Sequence, residues 1–334
     1  MILTVTLNTA LDLTYRLDRL RPQADNRVRE AAARAGGKGV NVSRVLHALG
    51  HETVVTGLAG GPGGDAVRAD LAAAGLTDAL VPIAGETRRT VAVVEDHLGD
   101  STILLEPGPV VTGAEWSAFL GRYDRLLPRA RAVVLSGSLP GGLPDDAYAV
   151  LIRLAHGHGV PAVLDASGDA LHAGVEAAPA IVKPNAAELR AASGTADPRA
   201  GAAALRAAGA RAVVASLGPD GLIAVTPQGS WRARPPRALA GNPTGAGDAA
   251  VAALALGLVS HTPWPLRLTR AVALSAAAVA APLAGDFDPA VHRRLLQEVT
   301  AEPLTEAATA DPPAAVQPDS AQAPTTREGE SRCH

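Results

Sequence analysis

Four short apolar runs, at residues 132–136, 162–165, 180–183 and 212–216, constrain what this chain can fold into more than any other feature. Each is apolar almost throughout instead of alternating, as expected of strands buried on both faces. The helix-length segments between them supply the crossovers that parallel neighbours require. The N-terminal part repeats this pattern: a strand over 2–7, a helix over 40–49 stopped at Gly50, a strand over 54–58, then a Gly/Pro turn and a helix to about Ala74. Strands at 90–95 and 101–105 pair across a turn around Leu98-Gly99-Asp100, and 222–226 with 231–234 form a late hairpin. Helices are expected at 246–259, 265–281 and 289–300. The expected fold is α/β, a mostly parallel sheet covered by helices on both faces.

Composition removes several classes of function. The 334 residues are 47% hydrophobic and 19% charged, enough for a sizeable core. A net charge of −3 gives no electrostatic case for nucleic acid or an anionic membrane. The single cysteine, Cys333, excludes an intrachain disulfide framework and a cysteine metal site, which fits a reducing, cytoplasmic setting. No basic region precedes the first apolar run, which Asn8 and Asp12 interrupt, so no signal peptide is expected. The Ala/Val-rich stretch 271–283 is too short to span a bilayer. From Ala301 on, Ala, Pro, Thr, Ser and Glu dominate with no apolar period, so a folded domain of 1–300 is followed by a tail, 301–334, expected to be disordered.

Of the 30 basic side chains only Lys38 and Lys183 are lysines. In a chain pushed so strongly towards arginine, a lysine marks a candidate site, because a compact ammonium and a planar guanidinium do different work. Both lysines fall within motifs.

The most chemically suggestive motif is Gly241-Asn242-Pro243-Thr244-Gly245-Ala246-Gly247-Asp248, which leads into an Ala/Leu/Val-rich helix. A glycine turn that opens a helix leaves backbone N–H groups aimed outward with the positive dipole end behind them, a setting suited to anions. Asp248 in the first turn could take a proton from an attacking hydroxyl; the plainer alternative is a helix-capping acid. Gly245, Gly247 and Ala250 also fit a dinucleotide-binding pattern. However, no strand directly precedes them and no acid follows at the required distance.

Four further clusters stand at predicted strand ends or helix starts, where open α/β sheets bind ligands. Asp12, in Asn8-Thr9-Ala10-Leu11-Asp12, could hold sugar hydroxyls or simply close a turn. In Gly36-Gly37-Lys38-Gly39-Val40-Asn41 the glycines allow close backbone approach, Lys38 can meet a phosphate and Asn41 a hydroxyl, although the spacing is not that of a Walker A loop. Asn185 and Glu188, after Lys183-Pro184, can face one hydrated Mg²⁺ or form a capping box. Ser216-Leu217-Gly218-Pro219-Asp220-Gly221 can approach a nucleotide or form an ordinary hairpin turn.

In this order the motifs make the chain resemble the phosphofructokinase-B branch of the ribokinase-like sugar kinases, over about residues 1–300. Gly36–Asn41 carries the first signature and Asn242–Asp248 the second. Leu135-Ser136-Gly137-Ser138-Leu139-Pro140, Leu164-Asp165-Ala166-Ser167-Gly168, Lys183-Pro184-Asn185 and Ser216-Leu217-Gly218 extend the likeness. Asn8–Asp12, Asn26-Arg27-Val28 and Gly85-Glu86-Thr87-Arg88 look like the 1-phosphofructokinase and tagatose-6-phosphate kinase subgroup. Thr9, Thr90, Ala249 and Asn242-Pro243-Thr244 depart from its usual residues without removing a catalytic group.

The resemblance implies a three-layer α/β/α domain with a small β lid from about 11–35 and 86–106, often a dimer clasp. It implies ATP with Mg²⁺, and a phosphosugar as the other substrate. Asp12, Gly37 and Asn41 would then hold sugar hydroxyls, and Arg88, with Lys38, Arg27 and Ser138, the substrate's phosphate. Lys183, Asn185, Glu188, Ser216, Gly218 and Gly221 would border the nucleotide and Mg²⁺, Glu188 through water. Gly245, Ala246 and Gly247 would form the anion hole and Asp248 the base. The implied reaction is phosphorylation of fructose 1-phosphate, with tagatose 6-phosphate or fructose 6-phosphate as alternatives. A non-catalytic phosphosugar sensor is the rival from another class.

Overall fold

The continuous apolar runs do become buried strands. A computed structural model describes residues 1–97 and 100–304. The turn expected at Leu98 and Gly99 and the tail beyond Leu304 lie outside the described residues. The N-terminal part runs β1 (Ile2–Thr6), β2 (Ala10–Leu17), β3 (Glu30–Gly36), α1 (Lys38–Ala48), β4 (Thr53–Ala59), α2 (Gly61–Ala73), the two-residue β5 (Thr77–Asp78) and β6 (Val81–Pro82), β7 (Arg88–Glu95) and β8 (Asp100–Leu105). There follow α3 (Gly113–Leu126), β9 (Ala132–Ser136), α4 (Ala147–Gly157), β10 (Ala162–Asp165), α5 (Gly168–Glu176), β11 (Ile181–Val182), α6 (Ala186–Ser193), α7 (Pro198–Ala207) and β12 (Val213–Ser216). The chain continues through β13 (Leu222–Thr226), β14 (Gly229–Ala233), α8 (Ala246–Val259), α9 (Trp264–Val279), α10 (Pro289–Glu298) and β15 (Ala301–Pro303).

The main sheet has the order β15-β14-β13-β12-β11-β10-β9-β1-β4-β5, with β6 also pairing β4. It is parallel from β12 to β5 and antiparallel from β12 to β15. Successive residues of one strand feed opposite cores, as the two-residue repeat dictates. Val133, Leu135, Leu164 and Val182 pack with Phe119, Tyr123, Tyr148 and Ile152 on one face. Val134, Val163 and Ile181 pack with α1, α8 and α9 on the other. The expected three layers follow. No helix among the described residues is long and apolar enough to cross a membrane.

A second sheet, β3-β2-β7-β8, stands apart, with β2 and β7 parallel and the outer pairs antiparallel. Its strand β3, Glu-Ala-Ala-Ala-Arg-Ala-Gly, would favour a helix on propensity alone; seven-residue pairing with β2 overrides that preference. Ala301–Pro303, expected within the tail, instead pair with β14, so the folded body extends past residue 300. Composition conceals this because a three-residue edge strand needs no apolar period of its own, only an open edge to pair with.

Candidate active site

A cleft of about 990 Å³ opens between the small sheet and the carboxyl ends of the main strands. Chain order reverses between β1 and β9, the switch point at which open α/β sheets form crevices. Asn8 after β1 bridges it by donating to Ser138 Oγ after β9 at 3.0 Å.

The start of α8 forms one wall. Gly245 sits at the N-cap in a left-handed conformation (φ 86°), where a side chain would press on Ala284. The Ala246 amide donates to the Pro243 carbonyl and that of Ala249 to Gly245, which leaves the Gly247 and Asp248 amides as the open donors of this turn. Asp248 is buried and its Oδ2 accepts a 2.8 Å hydrogen bond from Asn41 Nδ2. Burial first, and the neighbouring Asp165 charge second, push its carboxyl up to about 7, against the Asn41 bond and the Lys38 and Lys183 charges. A carboxylate poised near neutrality beside open amides can accept a proton while the helix end receives negative charge. The Asn41 contact gives that side chain a role the sequence did not suggest: it holds the Asp248 carboxyl.

The two lysines converge on one carboxylate. Lys38 Nζ lies 3.2 Å and Lys183 Nζ 3.4 Å from Asp165 Oδ1, at the end of β10. Burial works against the Asp165 charge, but Lys183 and Lys38 hold its carboxyl below the usual range. Burial likewise works against the Lys38 ammonium, and Asp165, Glu188 and Asp248 overcome it and raise its pKa. Gly247 faces Lys183, with space of 3.4 Å where a β-carbon would stand, so an ammonium adjoins the open helix end. Asp165 had no assigned role in the sequence reading; the available signal was a carboxylate closing a fully buried strand.

The small sheet supplies the opposite wall. Asp12 is not a turn acid: it lies within β2, opposite Arg34 of β3 and Thr90 of β7. Its carboxylate rests on Gly36, where any side chain would displace it. Burial pushes Asp12 up to about 6, countered by a hydrogen bond from Thr90 and by the Arg88, Arg34 and Arg44 charges. Arg88 reaches the cleft with its Nε donating to Asn8 O at 3.3 Å. The preceding residues anchor it, since Glu86 Oε1 accepts from Gly63 N and Thr87 Oγ1 from Gly60 N at the start of α2.

At the far end, the Asn185–Glu188 capping box is formed at the start of α6. Glu188 Oε2 caps Asn185 N while Oε1 stands 4.0 Å from Lys38 Nζ, so the structural role and cleft access coexist. Ser216, Gly218 and Gly221 border the same region, with Gly218 at φ 60° and Gly221 at φ 82°. Leu239, Val272, Ala276 and Val279 add an apolar wall that sequence reading missed, since nothing distinguishes them from ordinary core positions. Among the described residues no group of three or more His, Cys, Asp or Glu could cage a metal. The buried Asp165 Oδ2, which has no partner, together with Glu188, fits instead a hydrated Mg²⁺ that arrives with phosphate ligands.

Thus Asp12, Gly37, Lys38, Asn41, Arg88, Lys183, Asn185, Glu188, Ser216, Gly218, Gly221 and the 245–248 turn line one cleft. Ser138, exposed after β9 and bonded to Asn8, is not among the residues that line it, and neither is Arg27, exposed in the β2–β3 connection.

A profile of pfkB family carbohydrate kinases matches residues 5–290. The chain is similar to phosphofructokinase-2 from Escherichia coli in complex with potassium, with a TM-score of 0.82 and 27% identity over 89% of this chain and 98% of that one. It is equally similar to the tetrameric inhibited form of that enzyme, at TM-score 0.81, 27% identity and coverage of 89% and 98%. A Thermotoga maritima protein described as a possible 1-phosphofructokinase aligns at TM-score 0.81 with 27% identity, over 91% of this chain and 99% of that one.

Proposed function

Given that the chain belongs to the pfkB family of carbohydrate kinases, we propose that it transfers the γ-phosphoryl group of ATP to a primary hydroxyl of a ketohexose phosphate. Fructose 1-phosphate, phosphorylated at O6 to fructose 1,6-bisphosphate, is the preferred acceptor. The observation that carries the reading is Asp248, pushed up to about 7 at an open helix end and facing the Asp12–Arg88 wall across one cleft.

In this reading Asp248 accepts the hydroxyl proton as the sugar oxygen bonds to phosphorus and ADP leaves. The open amides of α8, with Lys183 beside them, stabilise the charge on the transferred group. Asp12, Gly37 and Asn41 orient the sugar hydroxyls, and Arg88 with Lys38 pairs the substrate's own phosphate, for which an arginine fork is suited. The 216–221 turn and the α9 wall border the nucleotide. Mg²⁺, carried in with ATP near Glu188 and Asp165, would neutralise phosphate charge. The exposed apolar residues of the small sheet support its action as a lid that pairs two copies, and the single cysteine suits the cytosol. Similarity to phosphofructokinase-2 favours fructose 6-phosphate, with tagatose 6-phosphate, as the second reading, since the same machinery can act on O1.

The test is ADP release with Mg·ATP against fructose 1-phosphate, fructose 6-phosphate, tagatose 6-phosphate, fructose and ribose, with Asp248→Asn as control. Dominant turnover of fructose 1-phosphate, reduced roughly 10²–10⁴-fold in kcat in the control, is expected. Dominance of a 6-phosphate moves the acceptor to O1. No turnover of any acceptor by protein that binds ATP favours the sensor.

A further inference from the structure

Arg34 of β3 reaches out of the small sheet to the turn between α9 and α10. Its Nη1 donates to Asp286 Oδ2 at 2.9 Å and its Nη2 to Asp286 Oδ1 at 2.7 Å, a two-pronged pair, and Nη1 also meets Ala284 O at 3.3 Å. The turn it grips touches the catalytic machinery twice. Ala284 packs on Gly245, the N-cap of α8, so closely that a β-carbon on Gly245 would lie 2.9 Å from the Ala284 Cα. Gly285, at φ 82°, lies against Asn41, the residue that hydrogen-bonds Asp248; a β-carbon there would come within 3.2 Å of the Asn41 Cα and 3.0 Å of Arg44 Cδ. On its own strand Arg34 stands directly opposite Asp12, two residues before the Gly36 on which Asp12 rests.

We propose that Arg34 is a positioning residue. Its pair with Asp286 pins the 284–286 turn against Gly245 and Asn41, and so fixes the distance between the small-sheet wall carrying Asp12 and Arg88 and the helix end carrying Asp248. The physical basis is geometric. A guanidinium fork on a carboxylate defines direction as well as distance, which a lysine in that position would not do. Elsewhere the sheet is tied to the body by Ala35 N on Asp70 and Arg88 on Asn8 O, neither of which reaches the 284–286 turn. Among the described residues this pair is therefore the side-chain link between the small sheet and the 284–286 turn, added to the route through β3, α1 and the Asn41–Asp248 bond. The conformational statement stands alone; its catalytic consequence rests on the kinase reading above.

The experiment is a double-mutant cycle of Arg34→Gln and Asp286→Asn, with Arg34→Lys, read by amide hydrogen exchange and by kinetics. Without substrates, the hydrogen-bonded amides of the first turn of α8, Ala246 and Ala249, should exchange about tenfold faster in both single variants. The double variant should be no worse than either single one. Unchanged exchange overturns the proposal whether or not the protein is a kinase, and lack of turnover by the wild type with normal exchange effects overturns only the kinase reading. In an active enzyme, each single variant should lose roughly 10–100-fold in phosphosugar kcat/KM with the ATP KM little changed, and Arg34→Lys should recover only part. Additive losses, or equal losses in the ATP KM, overturn the positioning role.

Discussion

In the proposed mechanism Asp248 is both a cost to the fold and the agent of its chemistry. Because its carboxyl is pushed up to about 7, the proton-accepting form is lost as pH falls through that value. The phosphosugar kcat/KM should therefore drop about tenfold per pH unit below roughly pH 6.5, and a profile flat from pH 5.5 to 8 would remove Asp248 as the base. The stability consequence has the opposite direction. A carboxyl raised above its unfolded value is harmless while protonated, and its penalty appears as pH rises from about 4 through about 7. Asp248→Asn should then stabilise the protein at pH 8 by roughly 2–4 kcal/mol, an advantage that disappears below pH 4. Denaturant melts at the two pH values check this, and a variant less stable at pH 8 would contradict it. At this scale Asp248 was legible because an acid after glycines at a helix start has few possible uses. Asp165 was not, since its meaning comes from two lysines 127 and 18 positions away that meet only in the fold.

The elements matter by what their ends present. Helix α6 begins with a capping box, and Glu188 has one oxygen in the cap and the other near Lys38. Glu188→Gln separates these roles, because glutamine can still cap but carries no charge. The variant should melt within about 0.5 kcal/mol of the wild type while needing several-fold more Mg²⁺ for half-maximal turnover. An unchanged Mg²⁺ requirement would leave Glu188 as a cap alone. Sequence could not choose between the two readings, because the cap takes one carboxylate oxygen and leaves the other beside Lys38 in the cleft. The strands differ in the same respect. The buried runs β9 and β10 were legible within their own residues, whereas β3 and β15 exist because a partner edge was open to them.

At the scale of the whole molecule, the small sheet leaves apolar side chains in water. Ile103 is 45%, Leu104 57% and Leu105 69% exposed on its edge strand β8. A contiguous apolar edge of this kind is suited to covering by a second copy. Sedimentation should find a dimer that Leu104→Asp/Leu105→Asp converts to monomer while the isolated fold keeps its melting behaviour; a monomeric wild type would rule out the clasp.

The sequence by itself determined the architecture and most of the cleft residues. Hydrophobic period and glycine turns are local properties, and strand ends in a parallel sheet converge whatever their loops contain. Only the tertiary structure decided which of those residues touch. It put both lysines on Asp165, placed Asn41 on Asp248, left Ser138 and Arg27 outside the cleft walls, and joined Arg34 to Asp286 across 252 positions. Such contacts depend on the sub-ångström packing of elements against one another, and no run of neighbouring residues encodes that.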